Sequence, residues 1–170
     1  MRFRSLKAVA VALVACAAAA TAAPSALSAG RAGARPEAGG AARHASSLAR
    51  IEIPRIGLDA PLGVVPNLDR GPGFYPDTSR PGDGRTVAIA GHRTTHTRPF
   101  WALNELRRGD PIVIFWSGRR YVYRVTGMQI VSPTDWSVVQ EQGYERLVLS
   151  SCNPRFSARQ RIVVFALPQG

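Results

Sequence analysis

Cys152 closes a short apolar run, Leu147-Val148-Leu149-Ser150-Ser151, and is followed at once by Asn153-Pro154. Proline lacks a backbone donor and restricts the residue before it, so a strand through Leu147–Leu149 ends at or just past the cysteine. The other cysteine, Cys16, lies near the N-terminus, which leaves the thiol of the C-terminal part without a partner. A buried cysteine can act simply as a small hydrophobe. In an exported chain, an unpaired thiol either bridges to another molecule or is kept for its reactivity.

A reactive thiol needs a neighbouring base or cation, because at pH 7 it is mostly protonated. His92 and His96 are the histidines available in the C-terminal part. His92 follows the strand-like run Thr86-Val87-Ala88-Ile89-Ala90 and Gly91, so it stands at a strand end, as Cys152 does. His96 follows the polar run Arg93-Thr94-Thr95 and reads as an exposed loop residue. Each histidine alone would be an ordinary loop residue; the pairing of one free thiol with one strand-end imidazole singles out His92. Acyl chemistry at sulfur also builds an oxyanion, to which a fixed guanidinium can donate. Arg159 and Arg161 lie between the loop Asn153–Ala158 and the apolar run Ile162–Leu167. The chain therefore turns after Cys152 and returns antiparallel beside it, with an arginine near the mouth. Arg161 abuts the apolar run and is expected inside the ladder, with Arg159 in the loop before it. No cysteine cluster, calcium-loop pattern or histidine pair at ligand spacing is present, so neither a metal nor a cofactor is expected.

The elements that position these residues are short. Ile51–Ile53, Leu58–Val65 (broken by Pro61 and Gly63) and Thr86–Ala90 read as strands. Ile112–Trp116 and Tyr121–Thr126 flank Ser117-Gly118, a tight hairpin signal, and Met128–Val131 continues the second of them. Phe100–Leu106 has a helical pattern, and Asp135–Gln140 adds another helical turn. Many short strands with few helices indicate an all-β barrel or sandwich, and closure into a barrel would hide the edges.

Residues 1–23 have the pattern of an export signal. Arg2, Arg4 and Lys7 precede the alanine-rich run Ala8–Ala20, and small residues follow. The run is shorter than the ~20 predominantly apolar residues of a spanning helix. Cleavage, retention as an anchor, and lipidation at Cys16 within Leu13-Val14-Ala15-Cys16 all stay open. In each case the body of the protein lies outside the cytoplasmic membrane. Residues 24–47, which include His44, are rich in Ala, Gly, Ser, Pro and Arg and read as a flexible tether. Residues 48–170 form the folded domain, of about 120 residues, enough for one core. The net charge of +11 comes almost wholly from arginine. The arginines are scattered, with no aromatic interleaving, which argues against a nucleic-acid surface and for a basic face toward an anionic envelope.

Three blocks, Ala90-Gly91-His92-Arg93-Thr94-Thr95, Val148-Leu149-Ser150-Ser151-Cys152-Asn153-Pro154 and Phe156-Ser157-Ala158-Arg159-Gln160-Arg161-Ile162-Val163-Val164, together resemble the signature blocks of sortases. The resemblance is greatest to class E, the type of GC-rich actinobacteria. It runs from Ile51 to Leu167, including Leu106–Asp110 and Val131–Asp135. One departure is that Val148, Ser150 and Ser151 stand where the family usually has threonines. The resemblance implies a closed β-barrel of about eight strands with a few short helices. It also implies a transpeptidase in which Cys152 attacks the Thr-Gly carbonyl of a C-terminal sorting signal of the Leu-Ala-x-Thr-Gly or Leu-Pro-x-Thr-Gly type. Arg161 steadies the oxyanion, His92 protonates the leaving amine, and Tyr75 and Ser151 bind substrate. The implied partners are secreted proteins bearing that signal and an amine of a peptidoglycan precursor. The implied location is the outer face of the cell membrane. A non-catalytic envelope-binding barrel and a thiol hydrolase that releases its acyl group to water are the alternatives.

Overall fold

The computed structural model describes residues 49–170, and the export segment 1–23 with Cys16 and the tether 24–47 with His44 lie outside them. Nine strands occur in chain order: β1 (Arg50–Ile53), β2 (Leu58–Pro61), β3 (Gly63–Val64), β4 (Gly73–Phe74), β5 (Thr86–Ala90), β6 (Pro111–Trp116), β7 (Arg119–Val131), β8 (Arg146–Asn153) and β9 (Gln160–Pro168). They form one sheet in the order β2-β1-β6-β7-β9-β8-β5-β4-β3. The terminal strands β2 and β3 are separated in sequence only by Leu62, whose N–H donates to the Ala49 carbonyl at 2.6 Å. The two ends of the sheet therefore meet, and the barrel is nearly closed.

Local chemistry accounts for the long hairpin. Ser117 and Gly118 both adopt positive φ, 50° and 76°, the two-residue turn whose twist matches that of the flanking strands. β7 pairs with β6 from Arg119 to Arg124, is irregular between Val125 and Gly127, and pairs with β9 through Val131. One bent strand thus serves two neighbours, as a bulge permits.

Side-chain alternation sorts the core into two layers. Val87 and Ile89 of β5, Leu147 and Leu149 of β8, and Ile162 and Val164 of β9 point into the barrel and pack with Ile51, Ile114, Phe100 and Leu103. On the outer face, Ala88, Val148 and Val163 cluster with Val131, beneath Tyr75, Val138, Val139 and Phe165. Both faces of β5, β8 and β9 are covered, which is why these strands read as apolar runs without polar alternation.

The helical expectations hold only as single turns. Leu103–Glu105 and Trp136–Val139 are 3-10 turns. So short a segment cannot offset the cost of nucleating an α-helix. The second turn is capped by Asp135, whose Oδ1 accepts from Ser137 N at 3.1 Å.

Gly91, directly after β5, is required by close approach. A Cβ there would lie 2.5 Å from Cδ2 of Phe100, which is fully buried. Gly91→Ala is expected to lower the unfolding free energy by about 1–3 kcal/mol through overpacking, read by chemical denaturation. A variant as stable as the parent would show that Phe100 can move aside freely.

Candidate active site

Strand register places the three candidate residues abreast. β5 runs parallel to β8, with Thr86 opposite Arg146 through to Ala90 opposite Ser150. The same offset carried two residues further sets His92 alongside Cys152. β9 runs antiparallel to β8 on its other side, and Arg161 is the direct partner of Cys152. Cys152 and Arg161 therefore stand side by side on adjacent strands, with His92 in line with them two residues past the end of β5. Alternation gives all three the face opposite Ile89, Leu149 and Ile162, so they look outward. They line a groove of about 350 Å³, together with Tyr75, Ser151, Leu68, Val131 and Trp136. All five residues singled out from the sequence meet in this one groove.

The row is fixed from behind. Gly91 N–H donates to the Ser150 carbonyl at 3.1 Å, and Ser151 Oγ donates to the Gly91 carbonyl at 2.7 Å. These bonds hold the His92 segment against the cysteine strand beyond the last ladder pair. The hydroxyl proton of Ser151 is thus committed to the protein backbone. Val148, where a hydroxyl is usual in the resembling family, packs fully buried among Ala88, Val131 and Val163, an apolar setting that asks for no hydroxyl.

Arg93 has no role in the sequence reading, which places it in an exposed polar loop. It is 5% exposed. Its parity differs from that of His92, so it turns behind the sheet as His92 turns outward; that parity was the available signal. Arg93 Nη1 donates to the Cys152 carbonyl (3.2 Å) and to Asn153 Oδ1 (2.7 Å), while Nη2 donates to Asn104 Oδ1 (2.8 Å). Burial draws the Arg93 guanidinium below its ordinary pKa, the charge of Arg155 adds to this, and Cys152 opposes it. One buried cation thus ties the end of the cysteine strand to the Asn104 turn.

On the open side, Arg161 Nη1 donates to the carbonyls of Ala158 and Gln160, each at 3.1 Å. No hydrogen bond among the described residues engages its Nε or Nη2. Arg159 is exposed, in the bend before β9. Tyr75 meets Trp136 edge-on, with ring centroids 6.4 Å apart. Trp136 is 60% exposed and forms a wall of the groove that the sequence did not single out.

His92 lies under a second imidazole. The rings of His92 and His96 stack with centroids 4.5 Å apart and planes 20° from parallel. His96 Nε2 in turn sits 3.2 Å from Asp69 Oδ1. Desolvation lowers the His92 pKa, repulsion from His96 lowers it further, and Asp69 partly counters both. A neutral imidazole beside the thiol is the form that can accept its proton. The ligand atoms of Asp69, His92 and His96 lie within 4.8 Å of one another. The expectation that no histidine pair stands at ligand spacing is corrected here, since three residues separate His92 from His96, although the stacked rings do not aim their lone pairs at one point; Asp69 joins them from the β3–β4 loop.

Arg93→Ala leaves the Cys152 carbonyl and Asn153 Oδ1 without their charged donor, while Asn104 Oδ1 keeps Arg155 Nη2 at 3.3 Å. Denaturant titration is expected to show a loss of about 1.5–3 kcal/mol, the range for hydrogen bonds to charged groups. Arg93→Lys should restore little, since one ammonium cannot span the two acceptor groups as the guanidinium fork does. Unchanged stability in Arg93→Ala would mean that this network contributes nothing.

A sortase-domain family model matches residues 51–169. Sortase SrtE1 of Streptomyces coelicolor is 30% identical over 136 residues, covering 69% of this chain and 39% of that protein. Sortase D of Bacillus subtilis is 31% identical over 108 residues, covering 61% of this chain and 53% of that protein. The chain thus spans between about two fifths and a little over half the length of these two relatives. Among solved structures, Sortase E1 from Streptomyces coelicolor, with a tripeptide in its active site, superposes with a TM-score of 0.66 at 27% identity. That match covers 72% of this chain and 88% of that one. A lid mutant of Sortase A from Corynebacterium diphtheriae gives 0.67 at 25% identity, covering 72% and 70%. The family model spans the whole barrel, including all three residues of the row, and the chain belongs to the sortase family.

Proposed function

We propose that the chain is an extracytoplasmic cysteine transpeptidase that cleaves a sorting signal between threonine and glycine and joins the new carboxyl end to an amine of the cell wall. The observation that carries this reading is the row His92–Cys152–Arg161 along the mouth of a largely apolar groove. The thiol proton of Cys152 passes to the neutral His92 imidazole as sulfur attacks the carbonyl carbon. Arg161 donates to the oxyanion through the guanidinium edge left clear of the loop. When the tetrahedral adduct collapses, the C–N bond breaks and His92 delivers its proton to the leaving glycine amine. The resulting thioester on Cys152 is then attacked by the incoming amine, whose proton returns through His92 to the departing thiolate. Arg93 positions the strand end, and Ser151 holds His92 in line. Tyr75 and Trp136 bound the groove where an extended peptide would lie, and a Leu-Ala-x-Thr-Gly signal is the one the class E resemblance favours.

Turnover of a fluorogenic sorting peptide, with and without an added amine, tests the reading. Amine-dependent ligation product supports transpeptidation, whereas product containing water alone would mark a hydrolase and no turnover a binding module. Cys152→Ala should abolish turnover in a folded protein. His92→Ala should cost roughly 10²–10⁴-fold, as for other general acid–base groups, while His96→Ala retains most activity. Arg161→Ala should lower kcat/KM by about 10²–10³-fold and Arg159→Ala far less, because only a donor fixed in the ladder is preorganised. A larger loss at Arg159 than at Arg161 would contradict the assignment.

The pH profile provides an independent check. The folded pKa of His92 lies below the ordinary imidazole value, about 6.5. The neutral base is therefore retained below pH 6.5 and lost as pH falls through the lowered value. The acid limb of kcat/KM is expected below pH 6.5, and His96→Ala, which removes one cause of the lowering, should move it upward. A downward move would contradict this electrostatic account.

A further inference from the structure

We infer that Phe156 and Trp101, together with Arg98, Arg155 and Arg159, form a docking surface for an anionic phospholipid bilayer. The two rings come from different loops. Trp101 lies between β5 and β6, and Phe156 lies between β8 and β9, four residues beyond Cys152. They meet edge to face, with centroids 5.9 Å apart and planes 74° from parallel. Phe156 is 81% exposed, and neither ring lines the groove.

A single exposed hydrophobic residue is ordinary on a protein surface. Phe156 differs in two respects. Its backbone stands at φ 65°, a left-handed conformation that is unfavourable for a bulky side chain. The chain thus accepts local strain at a residue whose ring adds little to the core. The ring is also part of a patch. Trp101 carries the Arg155 guanidinium 4.4 Å from its ring centroid and that of Arg98 at 5.4 Å. Arg98 is held at positive φ as well, 49°, and Arg155 Nε donates to the Trp101 carbonyl at 3.3 Å. Arg159 is exposed in the same loop as Phe156. Against these three cations, Glu105 Oε1 lies 3.8 Å from Arg155, and residues 153–159 contain no acidic side chain. The patch is apolar at its tip and cationic around it.

That combination selects the partner. A soluble polyanion would be held by the guanidiniums alone and would gain nothing from a solvent-facing phenyl ring. A bilayer uses both, since the ring sinks toward the acyl boundary while the cations meet the headgroup phosphates. Tryptophan and arginine suit that boundary, each having an apolar body and a polar or charged end. Because the β8–β9 loop joins Cys152 to Arg161, docking through Phe156 holds the mouth of the groove close to the membrane surface. That consequence rests on the transpeptidase reading; the lipid contact itself does not.

A nitroxide at position 156 tests the contact in the full chain. Cys16→Ala and Cys152→Ala remove the native thiols, and Phe156→Cys carries the label. Gln142→Cys, beside the Glu141 that caps the Thr86 end of the β5–β8 ladder, carries it in the control. Electron paramagnetic resonance reads collisions with oxygen, which concentrates among acyl chains, and with a water-soluble nickel chelate. On vesicles of equal parts phosphatidylglycerol and phosphatidylcholine, the label at 156 should gain oxygen collisions and lose nickel collisions by about twofold or more, as for a group buried at the headgroup boundary. The label at 142 should not change. Vesicles of phosphatidylcholine alone should abolish the effect. So should Arg98→Glu combined with Arg159→Glu, since each basic residue near an anionic surface is worth about fivefold in binding. Equal changes at 156 and 142, or no change at 156, would overturn the proposal. A label at 156 already shielded before vesicles are added would also overturn it, by showing another part of the chain or a second copy on the patch. Shielding by soluble polyphosphate without any gain in oxygen collisions on vesicles would assign the patch to a soluble polyanion and overturn it likewise. The readout needs no turnover, so its failure leaves amine-dependent ligation untouched, and loss of the transpeptidase reading leaves the lipid contact standing.

Discussion

The parallel pairing of β5 with β8 is the constraint on which the site depends. It is the ladder that brings a histidine from the first half of the domain alongside a cysteine near its end. A slip of one residue would send His92 or Cys152 to the barrel interior, because side chains alternate with a period of two. Both ends of the ladder are pinned. At the lower end, Arg146 Nε donates to Thr86 Oγ1 at 3.2 Å and its Nη2 to the Gln140 carbonyl at 2.9 Å. At the upper end, Ser151 holds Gly91. Between them, Val87, Ile89, Leu147 and Leu149 fix which face turns inward.

Cationic groups approach the cysteine strand from two directions for different purposes. Arg93 is buried behind it and bonded on both sides, so its charge is part of the scaffold. Arg161 lies on the groove side, steadied by two loop carbonyls, and keeps an edge for an incoming ligand. A donor already held in place needs little reorganisation when charge develops, which is what makes it effective. Val131 and Val163, backed by Ala88 and Val148, make the floor of the groove apolar beside these charges. Electrostatic interactions are stronger in such surroundings than in water.

Much of this was legible in the sequence, for identifiable reasons. Apolar runs ending at Gly91 and at Asn153-Pro154 marked the two strand ends, and Ser117-Gly118 marked the hairpin. The apolar run after Arg161 indicated a return strand, which the structure pairs with β8 so that Arg161 faces Cys152. What stayed hidden depended on long-range placement. Arg93 reads as one more polar loop residue until the strand face of His92 is known. Asp69 reaches His96 only because the β3–β4 loop folds over the mouth. The turn at Asp135–Gln140 was legible, but its Trp136 meets Tyr75 only through long-range packing that no local pattern shows. Short apolar segments such as Phe100–Leu106 carry a helical pattern without the length to form an α-helix.

The most direct test of the central claim is intact-protein mass spectrometry after brief mixing with a sorting peptide, before any amine is added. The row of His92, Cys152 and Arg161 predicts a covalent adduct equal to the peptide portion ending at threonine. That adduct should map to Cys152, discharge on addition of an amine, and be absent from Cys152→Ala. A peptide cleaved with no adduct on Cys152, or an equal adduct on the Cys152→Ala chain, would contradict the account.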